Sequence, residues 1–92
     1  MTIKLSEEER AEYNRVIWHS RRGMLELDLV LEPFVKNHYL KLDEEGQALY
    51  RRLLLCEDQD LFNWFLKKAV ASDVDLAAMV EMILQYSRSQ AK

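Results

Sequence analysis

Proline occurs once and glycine twice in the 92 residues, too few turn-formers for a fold of many short strands, which reverses direction on such residues. Cysteine occurs once, so no disulfide can form within the chain. Cys56, inside the run Leu53-Leu54-Leu55-Cys56, reads as a small buried hydrophobe, and a reducing compartment is expected. No apolar run approaches the ~20 residues that span a bilayer, so no membrane insertion is expected. The first twelve residues carry four glutamates and no long apolar stretch, unlike a secretory signal or an arginine-rich, acid-poor transit peptide. Positive charge is not in excess: a net charge of -3 and a pI near 5.4 give no global field that would attract nucleic acid or an anionic surface.

Catalytic and metal-binding patterns are missing as well. His19, His38 and Cys56 stand alone, with no HxxxH, CxxC or HExxH spacing to hold a metal. There is neither a Gly-flanked nucleophile nor a Gly-rich phosphate loop. Glu44 and Glu45 are adjacent, so on a helix they diverge by about 100° and cannot face each other as an acid and base pair. Nothing in the chain is a candidate for catalysis, and no enzyme is expected.

What is present is a balance of 49% hydrophobic and 32% charged residues, which suits helices with one dry and one wet face. The length allows one domain, 1–92, with an ordered core over 6–89. Such a chain buries roughly 60 to 70% of its unfolded surface, enough to fold but not to enclose a large substrate cavity. Ser6-Glu7-Glu8-Glu9 has the form of a capping box opening a first helix, with Tyr13, Val16 and Ile17 inward and Gly23 near its end. Leu27, Val30, Leu31, Phe34 and Val35 recur at helical spacing in a second helix that runs to about Tyr39, and Pro33 should kink or break it. Asp43 caps a third helix carrying Leu49, Leu53 and Leu54, which stops near Cys56. Glu57-Asp58-Gln59-Asp60 offers caps for a short fourth helix with Leu61, Phe62 and Phe65 on one side and Trp64 on another. Ser72 and Asp75 suggest a further capping box before the stripe Leu76, Met79, Val80, Ile83 and Leu84. The expected fold is all-α, a compact single-domain bundle of about five short helices.

Two segments stand out. In Arg21-Arg22-Gly23-Met24-Leu25-Glu26-Leu27-Asp28, two arginines adjoin a glycine and then two acids. A glycine lets a partner's backbone approach closely, and arginine offers a planar fork to carboxylate, phosphate or carbonyl groups, which together make a recognition corner. The plainer reading is a helix-ending glycine with an Arg22–Glu26 pair at i, i+4. In Asp58-Gln59-Asp60-Leu61-Phe62-Asn63-Trp64 an aromatic points away from the inner stripe, either as an interface anchor or as core packing. Trp18, with Arg15, Arg21 and Arg22, makes either a basic and aromatic surface or the solvated flank of a core tryptophan. A nucleic-acid-reading helix would add wider basic coverage, so no nucleic-acid partner is expected.

With Arg15, Trp18, the RRGMLELD segment at 21–28 and the EDQDLFNW segment at 57–64, the sequence resembles the succinate dehydrogenase assembly factors that promote flavinylation, a family marked by an RGxxE motif. The likeness spans roughly Arg15 to Leu84, Pro33 included. It implies a five-helix protein that binds the flavoprotein subunit of succinate dehydrogenase, and in some bacteria that of fumarate reductase, and helps FAD attach covalently to a client histidine. The motif's client contact carries over to Arg22, Gly23 and Glu26, with Arg21 and Asp28 in the wider motif and Trp64 as a supporting partner-binding residue. FAD would be the client's cofactor, with none bound stably by this chain, and a monomer in the bacterial cytoplasm is expected. The same resemblance admits an alternative, the antitoxin of a toxin–antitoxin pair acting by protein binding. A generic helical adaptor is a third reading.

Overall fold

The computed structural model describes residues 5–90, with the backbone alone for Gln90; Met1–Lys4, which fall in the acidic leading segment, and the last two residues lie outside the described residues. Five α-helices follow one another, α1 (Glu7–Ser20), α2 (Leu25–Asn37), α3 (Glu44–Leu54), α4 (Asp58–Phe65) and α5 (Val74–Gln90), with a 3-10 turn at Tyr39–Lys41. No strand occurs among the described residues, as the scarcity of turn residues implied.

The capping box forms as read. The Ser6 hydroxyl accepts from the Glu9 N–H at 3.1 Å, and Glu9 Oε1 accepts from the Ser6 N–H at 3.0 Å. Those hydrogen bonds hold the Glu9 carboxyl below its ordinary pKa. Asp43 caps α3 by accepting from the Gly46 N–H at 2.8 Å. At the start of α5 the cap is shifted by one residue from the expected Ser72: Asp73 Oδ1 accepts from the N–H groups of Asp75 and Leu76. Serine and aspartate cap helices about equally well, and the backbone, which begins α5 at Val74, puts Asp73 and not Ser72 in the cap position.

Two further expectations change. The break that Pro33 could introduce does not occur: helix α2 continues through it to Asn37. The carbonyl that proline leaves without a donor belongs to Leu29, an exposed residue that water can reach. Gly23 does not end α1. That helix stops at Ser20, Arg21 turns out extended at φ -79° and ψ 126°, and Gly23 has no left-handed φ.

The core draws on every helix: Val16 from α1; Leu27, Leu31, Phe34 and Val35 from α2; Tyr50, Leu53 and Leu54 from α3; Leu61 and Phe65 from α4; Leu76, Met79, Val80 and Ile83 from α5. Helix α2 lies at its centre, packed on α1, α4 and α5. Tyr50 sits in an aromatic row, its ring centroid 5.5 Å from that of Phe34 and 5.4 Å from that of Tyr39. Cys56 is half-buried instead of sealed in the core, and burial raises its thiol pKa.

Candidate functional site

The α1–α2 corner is four residues long, Arg21 to Met24, and its two arginines point to different places. Arg21 is exposed, and its side chain has no partner among the described residues. Arg22 turns inward, with its side chain 13% exposed. Its Nη2 donates to the carbonyl of Leu54, the last residue of α3. Its Nη1 lies 3.4 Å from Oδ1 of Asp58, the first residue of α4. Its Nε is buried without a partner. The Arg22 backbone N–H donates to Asp28 Oδ1 at 2.8 Å, so the half-buried Asp28 closes the corner from one turn into α2.

The expected Arg22–Glu26 pair is therefore not formed. The i, i+4 geometry needs both residues on one continuous helix, whereas here one helix ends at Ser20 and the next begins at Leu25. Glu26 is instead exposed, with no side-chain partner among the described residues. Gly23 is exposed, and a Cβ built on it meets nothing within 4 Å. Neither the backbone conformation nor the interior thus requires glycine at this position, which leaves clearance on the outer side as the property it provides.

Flanking this corner in the chain, three large apolar side chains are exposed. Trp18 is 74% exposed, Leu25 68% and Leu29 63%. Leu25 and Leu29 are four apart on α2 and share one face. Trp18 thus takes the surface reading and is not a core tryptophan. The sequence reading missed both leucines, although a signal was present: α2 carries leucines at 25, 27, 29 and 31, more apolar residues than one buried stripe can use. Trp64 is half-buried and packs against the core. What joins its segment to the corner is Asp58, six residues earlier, through Arg22.

The corner brings together Arg21, Arg22, Gly23, Glu26 and Asp28, with Trp64 set apart in the core's outer layer. Beside it, α1 and α3 leave an open groove of about 450 Å³, lined by Arg15 and His19 on one side and Arg51 and Arg52 on the other, over Val16. Arg51 is held by Glu12 at 3.0 Å and Arg52 by Asp73. Among the described residues no group of three or more His, Cys, Asp or Glu side chains could hold a metal ion, and no helix is long and apolar enough to cross a membrane. The arrangement offers a binding surface: exposed apolar side chains, the Arg21 and Glu26 side chains, which have no partner among the described residues, and Gly23 between them.

A profile of the family described as "Flavinator of succinate dehydrogenase" matches residues 14–87. The chain is 54% identical over 82 residues to the FAD assembly factor SdhE of Pseudomonas syringae pv. syringae, covering 89% of this chain and 98% of that protein. It is 55% identical over 76 residues to the FAD assembly factor SdhE of Pseudomonas aeruginosa, 83% and 90% of the two chains. With the protein of the same description from Idiomarina loihiensis the identity is 45% over 84 residues, 91% and 93%.

Proposed function

This chain belongs to the flavinator of succinate dehydrogenase family, and from that premise we propose that it binds the flavoprotein subunit of succinate dehydrogenase, and in some bacteria that of fumarate reductase, and promotes covalent attachment of FAD to it. The observation that carries this reading is the α1–α2 corner, where Gly23, Arg21 and Glu26 are exposed, the two charges without a side-chain partner among the described residues, beside the exposed Trp18, Leu25 and Leu29. Large exposed apolar side chains next to unpaired charges are what a partner surface requires, an anchor ringed by polar specificity.

The chemistry asks no more of the helper than binding. The bond-making chemistry belongs to the client and its flavin, and what a helper adds is positioning, by favouring the client conformation that holds the flavin and the acceptor histidine in line. A non-catalytic chaperone suffices: it stabilises the client conformation in which the two reactants meet. Glu26 and Arg21 make charge-assisted hydrogen bonds to the client, Gly23 admits its backbone, and Trp18, Leu25 and Leu29 bury against it. Arg22, Asp28 and Trp64 support that surface from its inner side. The helper acts as a monomer in the bacterial cytoplasm and keeps no FAD of its own.

The test is covalent flavin fluorescence of the flavoprotein band on a denaturing gel, from cells with and without this gene and with the Gly23→Arg variant. Flavin that falls in the deletion, returns with the native protein and stays low with Gly23→Arg is the expected result. Unchanged flavin, with no fumarate reductase defect, would refute the proposal and leave protein-binding antitoxin action as its replacement.

A further inference from the structure

Resting on that docking reading, we propose that Arg22 is a positioning residue, and that Asp58 and the Leu54 carbonyl are the groups through which it acts. By bridging the end of α3 and the start of α4, the guanidinium clamps the α1–α2 corner to the α3–α4 corner and fixes the attitude in which Gly23 and Glu26 meet the client.

Three observations carry this. The first is direction: both terminal nitrogens of Arg22 are taken up internally, by Leu54 and Asp58, and Nε is buried, so little of the side chain is left for a partner to grip. The second is the nature of the acceptors. The Leu54 carbonyl is one of the final carbonyls of α3 that have no donor within their own helix, and Asp58 stands in the first turn of α4, where a carboxylate already complements the helix dipole. A planar fork with several donors can serve both at once, which a single ammonium on a flexible stem does not do equally well. The third is closure from the other side: the Arg22 N–H is held by Asp28, so backbone and side chain are pinned to different elements, α2 by one and α3 with α4 by the other. The two sequence segments that stand out, 21–28 and 57–64, are thereby one unit.

The experiment has an arm without the client and an arm with it. In ¹⁵N-labelled protein alone, Asp58→Asn should speed hydrogen exchange of the Arg22 backbone amide by about tenfold while leaving the core amides slow, because only the corner loosens. Asp58→Glu should keep that amide protected. In calorimetric titration of the purified flavoprotein subunit, Asp58→Asn should weaken binding by roughly tenfold, the scale of one charge-assisted hydrogen bond. Arg22→Ala should weaken it at least as much, with the double variant no worse than Arg22→Ala alone and Arg22→Lys between native and Arg22→Ala. Covalent flavin formed at saturating helper should stay at the native level in Asp58→Asn, since affinity is lost and not the competence of the bound complex. Native exchange and native binding in Asp58→Asn, alongside lost binding in Arg22→Ala, would overturn the clamp and make Arg22 a direct contact. A native protein that fails to bind the subunit would sink the docking reading and this proposal with it.

Discussion

The hydroxyls of Ser20 and Tyr50 lie 2.7 Å apart inside the bundle, with Ser20 2% exposed and Tyr50 fully buried. Ser20 donates its own proton to the Val16 carbonyl at 2.8 Å, so the phenol must be the donor to Ser20. Ser20 is the last residue of α1 and Tyr50 the middle of α3. Their bond therefore ties the helix that leads into the Arg21–Met24 corner to the aromatic row of the core.

The direction of that bond predicts an asymmetry. Ser20→Ala leaves a buried phenol with no acceptor and should cost about 1–3 kcal/mol, whereas Tyr50→Phe removes the donor and leaves Ser20 still bonded to Val16, costing nearer to 1 kcal/mol. The double variant should be no less stable than Ser20→Ala alone. Urea unfolding measures all three. Burial also pushes the Tyr50 phenol well above its ordinary pKa of 10.0. Its contribution is fully present below the unfolded value and is lost as pH rises past it, because the unfolded chain then gives up a proton that the folded one keeps. Tyr50→Phe should accordingly lose less stability than the native protein between pH 9 and pH 11.

Gly23→Ala separates folding from docking. With no left-handed φ and no atom within 4 Å of the added Cβ, the fold should accept alanine and gain about 0.4–1 kcal/mol from a stiffer unfolded chain. The flavoprotein, meeting a methyl where it met bare backbone, should bind more weakly, and Gly23→Arg should not bind at all while melting like the native protein. Thermal unfolding and calorimetric titration of the same samples read both effects. A loss of stability in Gly23→Ala would mean that the corner needs glycine for itself.

Trp18 and Leu25 should behave in the opposite way to core residues of their size. Each is more than two-thirds exposed, so truncation to alanine should change stability by no more than about 0.5 kcal/mol. Binding to the flavoprotein subunit should fall by about 2 kcal/mol for Trp18→Ala and about 1 kcal/mol for Leu25→Ala, the range of buried aromatic and aliphatic anchors at an interface. Variants that lose stability and keep binding would place the client elsewhere.

Periodicity and capping chemistry make most of the fold legible in the sequence. Ser6 with Glu9, Asp43, and the stripes of α2 and α5 are local patterns, and local patterns depend on spacing alone. The cap at Asp73 was misplaced by one residue because Ser72 and Asp73 are both good caps and only the backbone chooses between them. The candidate site was half legible. Its residues could be named from 21–28, but their directions could not, because the helix break between Ser20 and Leu25 cancels the i, i+4 relation on which an Arg22–Glu26 pair depends. The actual partner, Asp58, is 36 positions away from Arg22 and is brought close only by packing. Trp18 and Trp64 look alike in a sequence. The core's geometry leaves the first in solvent and half-covers the second.

The end of α4 carries a strain that sequence does not announce. Lys67 has φ 62°, the one non-glycine with positive φ among the described residues. The helix closes there in a Schellman turn: the Lys68 N–H reaches the Asn63 carbonyl at 2.8 Å and the Lys67 N–H the Trp64 carbonyl at 3.2 Å. The position just past such a helix end favours glycine, because a Cβ in left-handed backbone crowds the neighbouring carbonyl at a cost of about 1 kcal/mol or more. Lysine offsets part of that through its ion pair with Glu81, which holds the Glu81 carboxyl below its ordinary pKa but is exposed and screened by salt. Lys67→Gly should therefore stabilise the protein by up to about 1 kcal/mol, a rise of roughly 4–8 °C in melting temperature for a chain of this size. Lys67→Ala should not, since alanine loses the pair and keeps the Cβ. Melting curves at low and high salt distinguish the two effects. The glycine variant should gain most where salt has already weakened the native pair, and equal melting temperatures for Lys67→Gly and Lys67→Ala would show that the left-handed backbone carries no cost here.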